Sequence, residues 1–173
     1  MRTLSTVLFI LIAPIASAAE DTCLRLIPLA LHTQLEAKFP DYRLPHEKDN
    51  LAEDIKYAKD HSQSGCLGVA TGDFDGDGSP DFLIGLTAKS GTGALIVVAL
   101  TRSKSWEFHK LDEWPEGRVR LYVAVEPAGS YDMVGDNDGP LEKGEVEKLV
   151  CPHAVAVFGA TESSGVAYCY TNS

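Results

Sequence analysis

Beyond its first eighteen residues this chain has no long apolar run, no C-x-x-C pair and no paired histidines, and each absence removes a class of function. No stretch after residue 18 approaches the roughly 20 apolar residues that a membrane-spanning helix requires. The four cysteines, Cys23, Cys66, Cys151 and Cys169, are spaced for neither a zinc knuckle nor a redox couple. His32, His46, His61, His109 and His153 are scattered without H-E-x-x-H spacing, so none stands out as a metal ligand or catalytic group. KSGTG lacks the Gly-Lys-Ser/Thr cradle for phosphate, and GATESSG lacks the G-x-S-x-G elbow of a nucleophilic serine. No repeat of 20 to 50 residues appears, which counts against a propeller or a solenoid.

Basic residues are also scarce. Residues 1–18, MRTLSTVLFILIAPIASA, read as a secretory signal peptide: one positive residue, a mostly apolar run from Leu4 to Ile12, a break at Pro14, and the small-x-small Ala16-Ser17-Ala18. Cleavage after Ala18 is expected, leaving one domain over 19–173. Removing Arg2 with the leader leaves 14 basic against 25 acidic residues, a formal charge of −11. That balance disfavours nucleic acid and anionic membranes as partners and favours cations or a basic protein. The expected location is the periplasm or the extracellular medium. An even cysteine count in an exported chain predicts two disulfides. Of the three possible pairings, Cys23 with Cys66 and Cys151 with Cys169 keep each bridge within one end of the chain; the sequence leaves all three open.

The pattern predicts an α+β domain, two N-terminal helices packed on a mostly antiparallel sheet. The first helix opens with Pro28 at a first helical position, carries Leu31, Leu35 and Phe39 at four-residue spacing with Ile27 in the same register just ahead, and stops at Pro40. In the second, Asn50 is the expected cap with Glu53 three residues on, ahead of Ile55 and Ala58. From Cys66 onward β-branched and aromatic segments dominate: 67–71, 81–86, 94–100, 105–111, 119–125, 154–160 and 165–171. KSGTG, WPEG and TESSG between them read as hairpin turns. Trp106 and Trp114 read as packing residues. The segment 126–148 is acidic, glycine-rich and too long for an ordinary connection, so it is expected to be a loop.

The aspartates of GDFDGDGSPD concentrate the chemistry. Asp73, Asp75, Asp77 and Asp81 fall at positions 1, 3, 5 and 9 of a loop between two strands, with Gly76 and Gly78 allowing it to curl. Alternate spacing turns carboxylates to one side, where they repel unless a hard dication such as Ca²⁺ lies among them. The backbone carbonyl of Ser79, at position 7, is a further expected ligand. This is not an EF-hand, because position 12 is Ile84 and the flanks are strands. DNDG at 136–139 repeats the spacing once and reads as a turn.

VATGDFDGDGSPDFLIGL resembles the calcium-binding segment of FG-GAP and VCBS repeats, whose D-x-D-x-D-G-x-x-D loop joins two strands. The resemblance spans about twenty residues and implies that Asp73, Asp75, Asp77, Asp81 and the main-chain oxygen of Ser79 hold calcium. Those repeats come in series, and here there is one, so the resemblance implies the metal loop and not a propeller. The general layout also resembles small exported bacterial proteins with a single such repeat. The functional expectation is a calcium-stabilised, non-enzymatic protein-binding module, in its concrete form an inhibitor or immunity protein against a periplasmic toxin. Its landing site for a basic partner is expected at Tyr131, Met133, Asp136 and Asp138. A calcium-dependent periplasmic hydrolase and a structural or adhesion module are the alternatives. For the first, no nucleophile, base and orienter can be named together; the second lacks its tandem repeats.

Overall fold

A computed structural model describes residues 21–61, 63–132, 141, 144–163 and 165–171. The described residues form three α-helices and several antiparallel sheets. Helix α1 (Thr22–Leu26) is capped by the Asp21 carboxylate, which accepts from the Cys23 amide at 2.9 Å. Helix α2 (Leu29–Lys38) follows Pro28 and ends at Phe39, ahead of Pro40. After Pro40 the chain runs through a two-residue strand, β1 (Tyr42–Arg43), to α3 (Ala52–Asp60). No helix among the described residues is long and apolar enough to cross a membrane.

Strands β2 (Val69–Gly72), β3 (Asp81–Ala88), β4 (Ala94–Arg102) and β5 (Ser105–Trp114) join β1 in one antiparallel sheet. In it β4 lies between β3 and β5, while β1 and β2 share the other edge of β3. A second sheet holds β6 (Leu121–Glu126), β9 (Val155–Ala160) and β10 (Gly165–Tyr168), with β9 in the middle.

Both faces of β3 and β4 are covered, which is why DFLIGL and ALIVVAL read as continuous apolar runs rather than alternating ones. Alternate residues enter different cores. Phe82, Ile84, Leu86, Leu95, Val97 and Ala99 cluster with Ile27, Leu31, Leu35 and Phe39 from the helical end. Leu83, Ile96, Val98 and Leu100 cluster instead with Leu121, Val123, Ala156 and Phe158 of the second sheet. Close contact between the sheets needs Gly85, where a Cβ would stand 2.8 Å from Leu121 Cδ2.

Several expectations are corrected. Asn50 does not cap α3; Leu51 occupies that position without a side-chain bond, because the Asn50 amide donates to the Leu121 carbonyl (2.6 Å) and its oxygen accepts from Arg118 Nη1 (3.3 Å). Helix α3 contributes to neither apolar cluster named above and is held by polar ties, Thr161 Oγ1 to Asp54 (3.0 Å) and the Leu51 amide to the Val119 carbonyl (3.2 Å). WPEG is not a hairpin turn: it carries the chain from β5 to β6, which lie in different sheets. The ends of the 126–148 segment are strands, β7 (Gly129–Asp132) paired with β8 (Lys148–Cys151), too short and polar to register as a β pattern.

Two disulfides join Cys23 to Cys66 and Cys151 to Cys169, with Cα separations of 5.0 and 5.6 Å, and no described cysteine is free. A part-buried polar network links β1, the segment ahead of α3, β3 and Arg118. Arg43 grips Asp49 with two hydrogen bonds (2.7 and 2.6 Å), Thr87 Oγ1 donates to Asp49 (3.1 Å), and Arg118 Nε donates to Thr87 Oγ1 (3.1 Å). Burial pushes the Asp49 carboxyl up, but the Arg43 bond, the His46 amide and the charges of Arg43 and Arg118 outweigh it, holding it at about 2.

Candidate metal centre

The aspartate loop joins β2 to β3, and the pairing of Gly72 with Asp81 sets its two ends side by side. Inside it the aspartates bond to amides further along the turn, as short acidic side chains do where they compete with regular structure. Asp73 accepts from Gly76 (2.8 Å) and Gly78 (3.1 Å), Asp75 from Asp77 (3.2 Å), and Asp77 from Ser79 (2.7 Å). The curl places Gly76 at φ 77° and Gly78 at φ 82°, left-handed backbone that glycine adopts at no steric cost. Gly76 is needed for a second reason, since a side chain there would meet the His153 imidazole. The Ala154 amide ties the same flank by donating to the Asp73 carbonyl at 3.2 Å.

Asp81 is fully buried. Its Oδ2 accepts from the Phe74 amide (2.9 Å) and its Oδ1 from the Thr101 amide (2.7 Å). Burial pushes its carboxyl up; the two amides pull it down, but the charges of Asp75 and Asp77 add to the upward shift. A nearby cation would favour the ionised form that these surroundings disfavour. Arg102, at the end of β4, supplies one such charge from within the chain. Its Nη1 is 2.6 Å from Asp75 Oδ2 and 3.8 Å from Asp77 Oδ2, while Nε and Nη2 face Glu107 Oε2 at 3.1 and 3.0 Å.

One carboxylate oxygen from each of Asp73, Asp75 and Asp81 lies within 4.8 Å of the others, the one such convergence of His, Cys, Asp or Glu groups among the described residues. The donors are all oxygens, a hard set that suits Ca²⁺, Mg²⁺ or Mn²⁺ better than a metal preferring sulfur or imidazole. The group could therefore hold a metal ion. Asp77, expected beside them, stands outside this group with its side chain 41% exposed, and Ser79 is in the loop with its amide on Asp77.

Of the residues expected to meet a partner, Tyr131 lies in β7 with its hydroxyl donating to the Pro127 carbonyl, whereas Met133, Asp136 and Asp138 are outside the described residues. Arg102, Thr101 and His153 surround the loop without any local sign in the sequence. They are 20 or more residues from Asp81, and only the β3–β4 pairing and the turn before β9 bring them there. No protein-family model, no curated protein and no solved structure matches the chain, so the chemistry of the centre rests on its own donor atoms.

Proposed function

We propose that this is an exported, non-enzymatic calcium-binding protein that captures a basic protein through its acidic 126–148 segment. The observation that carries the metal half is the convergence of Asp73, Asp75 and Asp81 carboxylate oxygens within 4.8 Å at the mouth of a strand pair. In this reading Asp73, Asp75, Asp77 and Asp81, with the main-chain oxygen of Ser79, hold Ca²⁺ as the FG-GAP and VCBS loop that the segment resembles does. When bound, the ion supplies neutralisation of like charges and cross-links the turn. The residues' own part is structural: Asp81 ties the loop to β4, and the glycines let it close.

Export is supported by the signal-like residues 1–18 and by the two disulfides, which persist in oxidising compartments. The partner half is supported by the acidic balance of the chain and by the composition of 126–148, with Tyr131, Met133, Asp136 and Asp138 as the landing site. Neutralisation of an exported toxin, as an inhibitor or immunity protein does, is the concrete role. Calorimetric titration of the mature protein with Ca²⁺, after complete removal of metal, tests the first half: a single saturable site is expected, and no heat at millimolar calcium overturns it. Affinity purification from the native host in calcium tests the second, with a stoichiometric basic protein expected and its absence overturning the capture role.

A further inference from the structure

We propose that Arg102 is the aspartate loop's built-in counter-ion, and that it sets the affinity of the metal centre by competing for Asp75. The inference rests on the calcium reading above and adds the regulation of that site. Asp75 is the best-shielded member of the pair with Arg102, its side chain 7% exposed, and its Oδ2 is engaged by the guanidinium at 2.6 Å. The same Nη1 reaches the Thr101 carbonyl at 3.0 Å and stands 3.8 Å from Asp77. One guanidinium thus spans two of the loop's four acids.

A dication entering among Asp73, Asp75 and Asp81 meets that positive charge at short range, and two cations sharing one carboxylate repel strongly where solvent is partly excluded. The guanidinium has somewhere to go. Glu107, on β5, already accepts from Nε at 3.1 Å and faces Nη2 at 3.0 Å, so rotation about the end of the side chain gives up Asp75 and keeps Glu107. The strand pairing provides this resting place: Arg102 is opposite Ser105 across the β4–β5 turn, which puts Glu107 two residues further along the neighbouring strand. In the metal-free protein Arg102 therefore keeps the acids from repelling one another, and in the metal-bound protein its displacement is a cost that weakens binding.

The test is calcium titration by calorimetry on the mature protein and on Arg102→Gln and Arg102→Lys, each with melting curves in chelator and in calcium. Arg102→Gln is expected to bind calcium about tenfold more tightly at low ionic strength, with the gain shrinking as salt rises. It is expected to melt below the parent in chelator, so that calcium raises its melting temperature by a larger increment. Arg102→Lys keeps the charge and is expected to bind as the parent does. Equal or weaker binding by Arg102→Gln, with the parent binding normally, overturns the counter-ion role and assigns Arg102 to holding Asp75 in position. Absence of calcium binding by the parent and both variants overturns it together with the metal reading.

Discussion

The Thr101 amide donates to Asp81 Oδ1 across twenty residues of sequence, which makes a loop carboxylate part of the hydrogen bonding of the neighbouring strand. Asp81 also takes the Phe74 amide, so one buried side chain joins the aspartate loop, the start of β3 and the end of β4. Asp81→Asn can satisfy only one of these two amides with its single oxygen and turns an NH₂ group toward the other. A loss of about 2 kcal/mol is expected, since a buried donor left without an acceptor costs about 1 to 3 kcal/mol. Urea unfolding in chelator measures it free of any metal contribution; a variant as stable as the parent would show that the bonds are dispensable.

Within the loop the acids are unequal. Asp75 is largely shielded and belongs to the converging group, whereas Asp77 is more exposed and stands outside it. Asp75→Asn is expected to weaken calcium binding by roughly tenfold or more, and Asp77→Asn by less. The rise in melting temperature with millimolar calcium should shrink in that same order, because a ligand bound only to the native state stabilises by mass action. The reverse order would place the ion on the outer side of the turn.

Acid should weaken the protein through Asp49. Its folded pKa of about 2 lies below the ordinary 3.8, so its contribution is present above pH 4 and is lost as the pH falls from about 4 to about 2. The side chain is only 8% exposed, and the shift corresponds to on the order of 2 kcal/mol. Unfolding of the parent and of Asp49→Asn across that range should converge at the acid end. A constant gap between them would remove Asp49 as the source.

Reduction should be costly. Closing loops of 43 and 18 residues restricts the unfolded chain, by about 4 and about 3 kcal/mol on the loop-entropy scale. Paired serine replacements at Cys23 and Cys66 should therefore destabilise more than those at Cys151 and Cys169. Alkylation before reduction, read by mass spectrometry, is expected to label no cysteine.

If the 126–148 segment captures a basic partner, replacing Asp136 and Asp138 with Lys should slow association and blunt its dependence on salt while leaving the melting temperature unchanged. Stopped-flow measurements against the purified partner check it, and an unaltered association rate would remove these residues from the interface.

Much of the strand set was legible because β3 and β4 are apolar on both faces, and such runs stand out in composition alone. The α2 face at Leu31 and Leu35 was legible for the same kind of reason, a four-residue rhythm ending at a proline. What a single segment cannot show is where its polar groups find partners. Asn50 looks like a helix cap until Leu121 and Arg118 claim it, and WPEG looks like a hairpin until β5 and β6 turn out to lie in different sheets. The aspartate loop announced itself through spacing and glycine, both local properties. Its surroundings, Arg102, Thr101 and His153, are assembled by tertiary pairing and left no local trace.

The two disulfides also bear on wear. The first encloses everything from α1 to the approach of β2, and the second encloses β9, its turn and β10. A protease that cuts once inside either enclosure leaves two pieces still covalently joined, each with its strands or helices in register to close again. Wherever the bridges stay oxidised, that arrangement turns a single nick from an end of service into a scar.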